Sequence, residues 1–457
     1  MTAVSEAETA GVSLLRGDPK KAIITLSIPM IIAMLLMSTY NLVNAVWVAG
    51  LGSDALAAIG FTTPLFMILI GLGNGLGAGV TSVISRRIGA GDKAGADAAA
   101  MQAIMLTTVI SVILTAVLIG ACRPLLLLFG AGDTVDLAVE YGTIVFGGTT
   151  LMLLTHIAYA ILRAEGDAKR TMYVMSASSI LNIILDPILI YHFDMGIAGA
   201  AWGLIISLVM VVSVLAYWFF IKRDTYITLS WKAFRRDTGT AKSILGVGLP
   251  ASCEFFLMSA LSIIINILLV MVSGTDAVAV YTAGWRVVMF AIIPLAAIGT
   301  SVTAVTGAAY GGRFYTKLPV IHTFSVLLGV GISLATSLIT WVFSSQISFI
   351  FTYSEGGAHL APGIAAFLAT MCFFYPFVPP GIMSSSVFQG VGKGISSLAL
   401  NVLRNVVFLA TAAYLLGVVF GYGEHGIWWG IVIGDILGGI AGFIWARLYI
   451  TRLLRYQ

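Results

Sequence analysis

Twelve apolar runs, each of about twenty residues or more, occupy most of this 457-residue chain and leave it few ways to fold. They lie at 22–50, 55–85, 97–121, 137–162, 171–192, 196–221, 243–272, 277–308, 318–343, 359–386, 395–420 and 426–450. A helix rising 1.5 Å per residue crosses a ~30 Å hydrocarbon layer in about 20 residues. Barrel strands would be ~10 residues long and alternating, a pattern absent here. Inside lipid the backbone must satisfy its own hydrogen bonds, which leaves the helix as the form for these runs. The composition agrees, with 59% hydrophobic and 10% charged residues, where soluble domains carry about 45–50% apolar residues. The expected class is an all-α integral membrane protein of twelve transmembrane helices.

Charge gives the orientation. Alternate connections hold Arg86, Arg87 and Lys93; Arg163, Lys169 and Arg170; Lys222 to Lys242; Arg313 and Lys317; and Lys393. The connections between them, such as "GLGSD" and "GYGEHG", contain neither Lys nor Arg. The positive-inside rule then predicts a multi-pass protein of the plasma membrane with both termini cytoplasmic. Residues 1–21 are polar and lack the basic-then-apolar order of a cleaved signal, so they read as a cytoplasmic N-terminal segment. The net charge of +4 follows from topology, and no nucleic-acid partner is expected. Cys122, Cys253 and Cys372 lie in apolar runs without metal-site spacing and read as buried thiols.

The chain repeats itself. "KKAIITLSIP", ending at Pro29, aligns with "AKSILGVGLP", ending at Pro250, and "GSDALA" from Gly52 aligns with "GTDAVA" from Gly274. A shift of six spans preserves orientation, so the repeats are parallel. They predict two pseudo-symmetric six-helix lobes, 22–221 and 243–457, joined by a cytoplasmic loop at 222–242. Two lobes facing across a central cleft suit alternating access.

Polar residues inside the spans mark where the chemistry lies. In "LNIILDPILIY", Asn182 and Asp186 stand four residues apart on one helical face, and Pro187 interrupts the ladder after them. A carboxylate in mid-bilayer costs about 2.5–3.5 kcal/mol, so it persists only if paired, wet or protonated. Asp186 therefore reads either as a proton-coupling group or as a hydrogen-bonded pin for the kink. In the second half Glu254, Arg286, Arg404 and Asp435 all fall roughly 15 Å into their spans. Four isolated charges there would cost on the order of 10 kcal/mol, which predicts a mutually neutralising cluster. The cluster reads equally as a structural network or as a coupling device.

Several segments, "LLRGDPKKAIITLSIPMIIAMLLMSTYNLVNAVWVAGLGSDALAAIGF", "ILRAEGDAKRTMY", "LNIILDPILIY" and "SVTAVTGAAYGGR", resemble the multidrug and toxic compound extrusion (MATE) transporters, in particular the archaeal and bacterial group related to the DNA-damage-inducible transporters. The resemblance implies two six-helix bundles that export cationic or amphipathic compounds in exchange for H+ or Na+. It also implies a first-lobe cation site, matched here by Asn182 and Asp186. That site includes a first-span acid, but "YNLVNAVW", beginning at Tyr40, has Asn44 there, and an amide releases no proton. Leu204 replaces a further polar residue, leaving Asp186 and Asn182 as a weak Na+ site, since a hard cation wants several oxygens.

Met37, His156 and Tyr159 are candidate cavity residues, with close packing as the other reading of each. "GLGNGLGAG" from Gly71 to Gly79 lacks the Lys-Ser/Thr of a phosphate loop and reads as close helix packing. No cofactor beyond the coupling ion, no enzymatic constellation and a monomer are expected. The alternative function is a flippase for a lipid or lipid-linked substrate in the same superfamily.

Overall fold

The computed structural model describes residues 9–230, 237–351 and 358–455, and among them all regular structure is helical. A short helix α1 (Ala10–Arg16) precedes two long ones, α2 (Pro19–Ala49) and α3 (Ser53–Gly89). Then come α4 (Lys93–Gly120), a short α5 (Cys122–Leu128), α6 (Val135–Gly147), α7 (Thr149–Ala164), α8 (Ala168–Pro187) and α9 (Gly196–Ala216). The second half begins with α10 (Thr238–Ser273) and α11 (Thr275–Gly311), followed by α12 (Leu318–Val342), α13 (Ser344–Phe351), α14 (Ala361–Met371) and α15 (Val378–Gly390). It closes with α16 (Gly394–Val402), α17 (Thr411–Tyr414) and α18 (Gly423–Arg455).

Eleven of the resulting spans are long and apolar enough to cross a bilayer, and α6 with α7, bent by 44° at their junction, makes a twelfth. Each predicted run holds one span. The apolar side chains left exposed, such as Val109, Val112 and Ile113 on α4, cover the flanks where lipid would lie. Cys122 and Cys372 are buried as expected, but Cys253 is exposed. Its neighbours Ser252 and Ala251 take the packed face of α10 instead.

The internal repeat is visible in local geometry. Gly52 and Gly274 occupy matching turns, with φ of 103° before α3 and 78° before α11, a backbone region that L side chains rarely enter. Pro29 and Pro250 both sit inside their helices, in the third turn of α2 and the fourth of α10. Helices α3, α7, α11 and α15 all terminate at one end of the bundle, where Arg86, Arg87, Lys93, Lys169 and Lys317 gather. This is called the basic end below.

From the middle of α3 to the basic end the two halves meet backbone to backbone. Gly75 and Gly79 of α3 lie against Gly248 and Ile244 of α10, and Gly89 lies against Ala308 of α11. A β-carbon at any of the three would collide with main-chain atoms, so the glycine run is a packing seam. Ser82 Oγ adds a hydrogen bond across the seam to Gln389 O at 2.5 Å. The segment after α9 is pinned to the first half: Arg170 pairs with Asp224 at 2.8 Å, and Asp97 accepts from Thr228 N–H at 2.9 Å.

Candidate functional site

Each half carries a buried carboxylate, and their surroundings differ. Asp186 lies in the last turn of α8, and beyond Pro187 the ladder changes to π-helical spacing at Ile188–His192, the break expected of a proline that cannot donate. Asn44 of α2 donates from Nδ2 to Asp186 Oδ2 at 2.6 Å. Asn182 uses its own Nδ2 on Ser178 O at 3.0 Å. That leaves Asn182 Oδ1 and Asp186 Oδ1 buried with no hydrogen-bond partner among the described residues, two open acceptors one helical turn apart. Tyr40 and Tyr141 stand within electrostatic range of the carboxylate.

Behind Asp186 is Gly203 of α9, where a β-carbon would collide with Oδ1. Leu204, the position singled out in the sequence, packs into an apolar cluster beside it. The signal that marks Gly203 is its four-residue spacing from Gly199, which lies equally close to the α8 continuation at Leu189.

Glu254 of α10 sits at the end of a chain of donors. Asn401 Nδ2 donates to Ser385 Oγ at 3.1 Å, Ser385 and Ser397 share a 2.6 Å hydroxyl contact, and Ser397 Oγ donates to Glu254 Oε1 at 2.6 Å. Gln389 Nε2 stands 3.5 Å from both carboxylate oxygens. Every hydrogen in this chain runs toward the carboxylate, so a proton arriving on Oε1 obliges the Ser397 contact to reverse direction or break. Nearby, Arg404 Nε donates to Asp435 Oδ1 at 2.5 Å, with both side chains almost fully buried. Arg404 is the second residue of the π-helical stretch Leu403–Ala410, and Gly381 and Gly438 make room for its side chain.

The halves enclose a cavity of about 460 Å³. Met34, Asn74 and Arg163 line it from the first half; Glu254, Arg404 and Asp435 line it from the second, along with aromatic and methionine side chains. Of the predicted four-charge cluster, Arg404 and Asp435 pair, Glu254 shares their wall without joining an ion pair among the described residues, and Arg286 is absent. Arg286 is exposed and does not reach the others, because α11 turns about 100° per residue and presents Trp285 and Met289 to the cavity instead.

Met37, His156 and Tyr159 do not line this cavity either. Met37 is 44% exposed and Met34, one turn earlier, takes the inward position. His156 packs its ring against Gly73 and bonds through Nδ1 to Met152 O at 2.9 Å in its own helix. Tyr159 is buried within the first-half core. Arg163, counted in the sequence as a topology marker, reaches back from the last turn of α7 into the cavity.

Comparison with known proteins identifies the lineage of this arrangement. The model of the MatE family matches residues 29–188 and again 250–415. The chain belongs to the MatE family. The two matched stretches begin 221 residues apart, at Pro29 and Pro250, the offset already seen in the sequence repeat. The multidrug export protein MepA of Staphylococcus saprophyticus is 28% identical over 436 residues, covering 95% of this chain and 94% of that one.

A multidrug resistance MATE family transporter solved in an outward-facing conformation is 40% identical, with a TM-score of 0.96 over 98% of this chain and all of that one. A transporter of the same superfamily from Pyrococcus furiosus, described as having a binding pocket of reverse polarity that suggests a different function, is 40% identical with a TM-score of 0.94, covering 98% and 99%. Within the MatE matches fall Asn44, Asp186, Glu254 and Arg404, whereas Asp435 lies beyond residue 415.

Proposed function

We propose that this chain is a secondary active exporter of the plasma membrane that antiports cationic and amphipathic organic compounds against protons by alternating access. It works as a transporter, with no enzymatic step. The observation that carries the reading is the cavity between the halves, walled by apolar and methionine side chains, furnished with a carboxylate, Glu254, that forms no ion pair among the described residues, and closed toward the basic end by the glycine seam. Methionine walls repack around varied shapes, which suits a broad range of compounds. The relatives support export over the flipping of a lipid-linked precursor.

Coupling runs through Asp186 and Glu254. Asp186 is fully buried and Oδ1 lacks a donor, so a proton taken up on that oxygen changes which neighbours it can satisfy. Sodium is the weaker choice for this site. Asn182 Oδ1 and Asp186 Oδ1 offer two oxygens, and Leu204 and Gly203 add no polar side chain. At Glu254 the proton competes with Ser397 and with a cationic substrate for the same carboxylate. Both termini lie in the cytoplasm, at the basic end, and the working unit is a monomer.

Proteoliposomes loaded with a fluorescent organic cation test this. An imposed pH gradient drives efflux that a protonophore abolishes, and a sodium gradient of equal size drives less. Efflux indifferent to both gradients would overturn the antiport reading, because a passive pore conducts without them.

A further inference from the structure

Arg163 is the cavity residue that the antiport reading leaves unused. The cavity's four charged groups do not all neutralise one another. Arg404 and Asp435 are paired at 2.5 Å. Glu254 is held by the Ser397 hydroxyl, with the Gln389 amide nearby, and no cation forms an ion pair with it among the described residues. Arg163 likewise forms no ion pair among the described residues, and its Nε is buried with no acceptor. Arg404 lies within electrostatic range of Glu254 but is already paired with Asp435, so these three groups together carry one net negative charge. They face the single positive charge of Arg163 across one space, Arg163 on α7 of one half and Glu254 on α10 of the other.

Their relative depth follows from the glycines of α3. Arg163 Nη2 lies 3.7 Å from where a β-carbon on Gly77 would stand, whereas Gly75 abuts Ser252. Helix α3 runs toward the basic end and α10 away from it. Two residues on each helix therefore separate the level of Gly77, where the guanidinium lies, from that of the Glu254 backbone, about 6 Å along the bundle axis at 1.5 Å per residue. Between and around the poles the walls are apolar, with Met34, Phe255, Met258 and Trp285 among them.

We propose that Arg163 and Glu254 are the two poles of one substrate site, and that it selects zwitterionic amphiphiles, with the anionic group on Arg163 and the cationic group on Glu254. This rests on the export reading and extends it by naming the class of compound the site prefers. A guanidinium recognises a carboxylate through paired N–H donors, and inside a largely apolar cavity an unmet guanidinium gains most from such a partner. Because the poles belong to different halves, a ligand that engages both binds best at one separation of the halves. That gives the ligand the differential affinity needed to bias one conformation.

Rhodamine 110 and rhodamine 123 test the assignment, since they share a xanthylium body and differ in a free carboxylate against its methyl ester. Equilibrium binding to the purified full-length protein in detergent is followed by fluorescence polarisation, with no gradient present. The wild type is expected to bind rhodamine 110 at least about tenfold more tightly than rhodamine 123. In Arg163→Gln that ratio falls to about one, and in Arg163→Lys part of the preference returns.

A ratio of one in the wild type, which needs no variant to fold, would overturn the proposal, as would an unchanged ratio in Arg163→Gln. Binding of neither dye would remove the cavity as the substrate site and this assignment with it. An intact ratio alongside efflux that ignores a pH gradient would overturn the antiport reading and uphold the two-pole site.

Discussion

Asn44 holds Asp186 through one hydrogen bond, Nδ2 to Oδ2 at 2.6 Å, while the other carboxylate oxygen stays buried without a donor. Where the resemblance called for a second acid, the chain supplies a donor. The first-half site therefore has a single ionisable carboxylate, and a single substitution isolates it. Asp186→Asn keeps shape and volume, and its amide can still accept from Asn44. Gradient-driven dye efflux is expected to fall to the level of empty liposomes, with thermal unfolding in detergent displaced by only a few degrees, about what a loss near 1 kcal/mol produces in a large chain. Normal efflux in that variant would remove Asp186 from the coupling step.

Gly203 tests the same carboxylate from behind. A methyl group at this position collides with Asp186 Oδ1, so Gly203→Ala forces the side chain to move or α9 to withdraw. Overpacking of this kind costs about 1–3 kcal/mol. Efflux is expected to fall about tenfold or more while binding of an organic cation at the central cavity persists. Gly199→Ala, which meets main chain of the π-helical continuation after α8 and no carboxylate, serves as the control for packing alone.

The Arg404–Asp435 pair separates a structural role from a coupling role. Both side chains are buried, so removing one partner strands the other charge at a cost of about 3–5 kcal/mol, whereas replacing both with apolar residues of similar volume is close to neutral. Arg404→Met and Asp435→Leu are each expected to lower the unfolding temperature sharply, and the double variant to recover most of it. If the double variant is stable and still exports with wild-type pH dependence, the pair is structural and coupling in the second half falls to Glu254 alone.

For Glu254 the measurement is the pH profile of efflux. Glu254→Gln keeps an oxygen that can accept from Ser397 but cannot exchange a proton. Transport of an organic cation is expected to lose its dependence on pH in the limb governed by this residue and to weaken about tenfold at neutral pH, since a charge-assisted contact is gone. An unchanged profile would return the serine and asparagine chain around it to a packing role.

Depth in the bilayer was legible from the sequence, and direction around the helix axis was not. All twelve spans were readable because apolar length is a local property, and the observed edges fall within five residues of those read from hydropathy. Asn44 and Asp186 were correctly drawn together through the resemblance. Glu254, Arg404 and Asp435 share a wall, as their common depth predicts, though only Arg404 and Asp435 pair and Glu254 is held by Ser397. Arg286 sits at a similar depth yet points elsewhere, a matter of about 100° of helix rotation that depends on what α11 packs against. Arg163 was misjudged for a related reason. A long side chain near a helix end can extend to water or fold back, and the void under α7 that decides between them is built by residues far away in the chain.

Glu165 offers a test outside the spans. It occupies the turn between α7 and α8, is 2% exposed, and accepts the Ile227 N–H on Oε2 at 2.9 Å, which staples the segment after α9 to the first half. Burial pushes its carboxyl up to about 8, against the opposing pull of the Ile227 hydrogen bond. In an unfolded chain a glutamate titrates near about 4.3. Between those two values the folded protein keeps a proton that the unfolded chain has released, so stability falls as pH rises across that window. Glu165→Gln stays neutral throughout and retains an acceptor oxygen for Ile227. The two proteins are expected to unfold at similar temperatures near about pH 5, and the variant to be the more stable near about pH 8. A gap that does not widen with pH would mean that the folded and unfolded states release this proton together, and that the turn is held by the hydrogen bond without regard to charge.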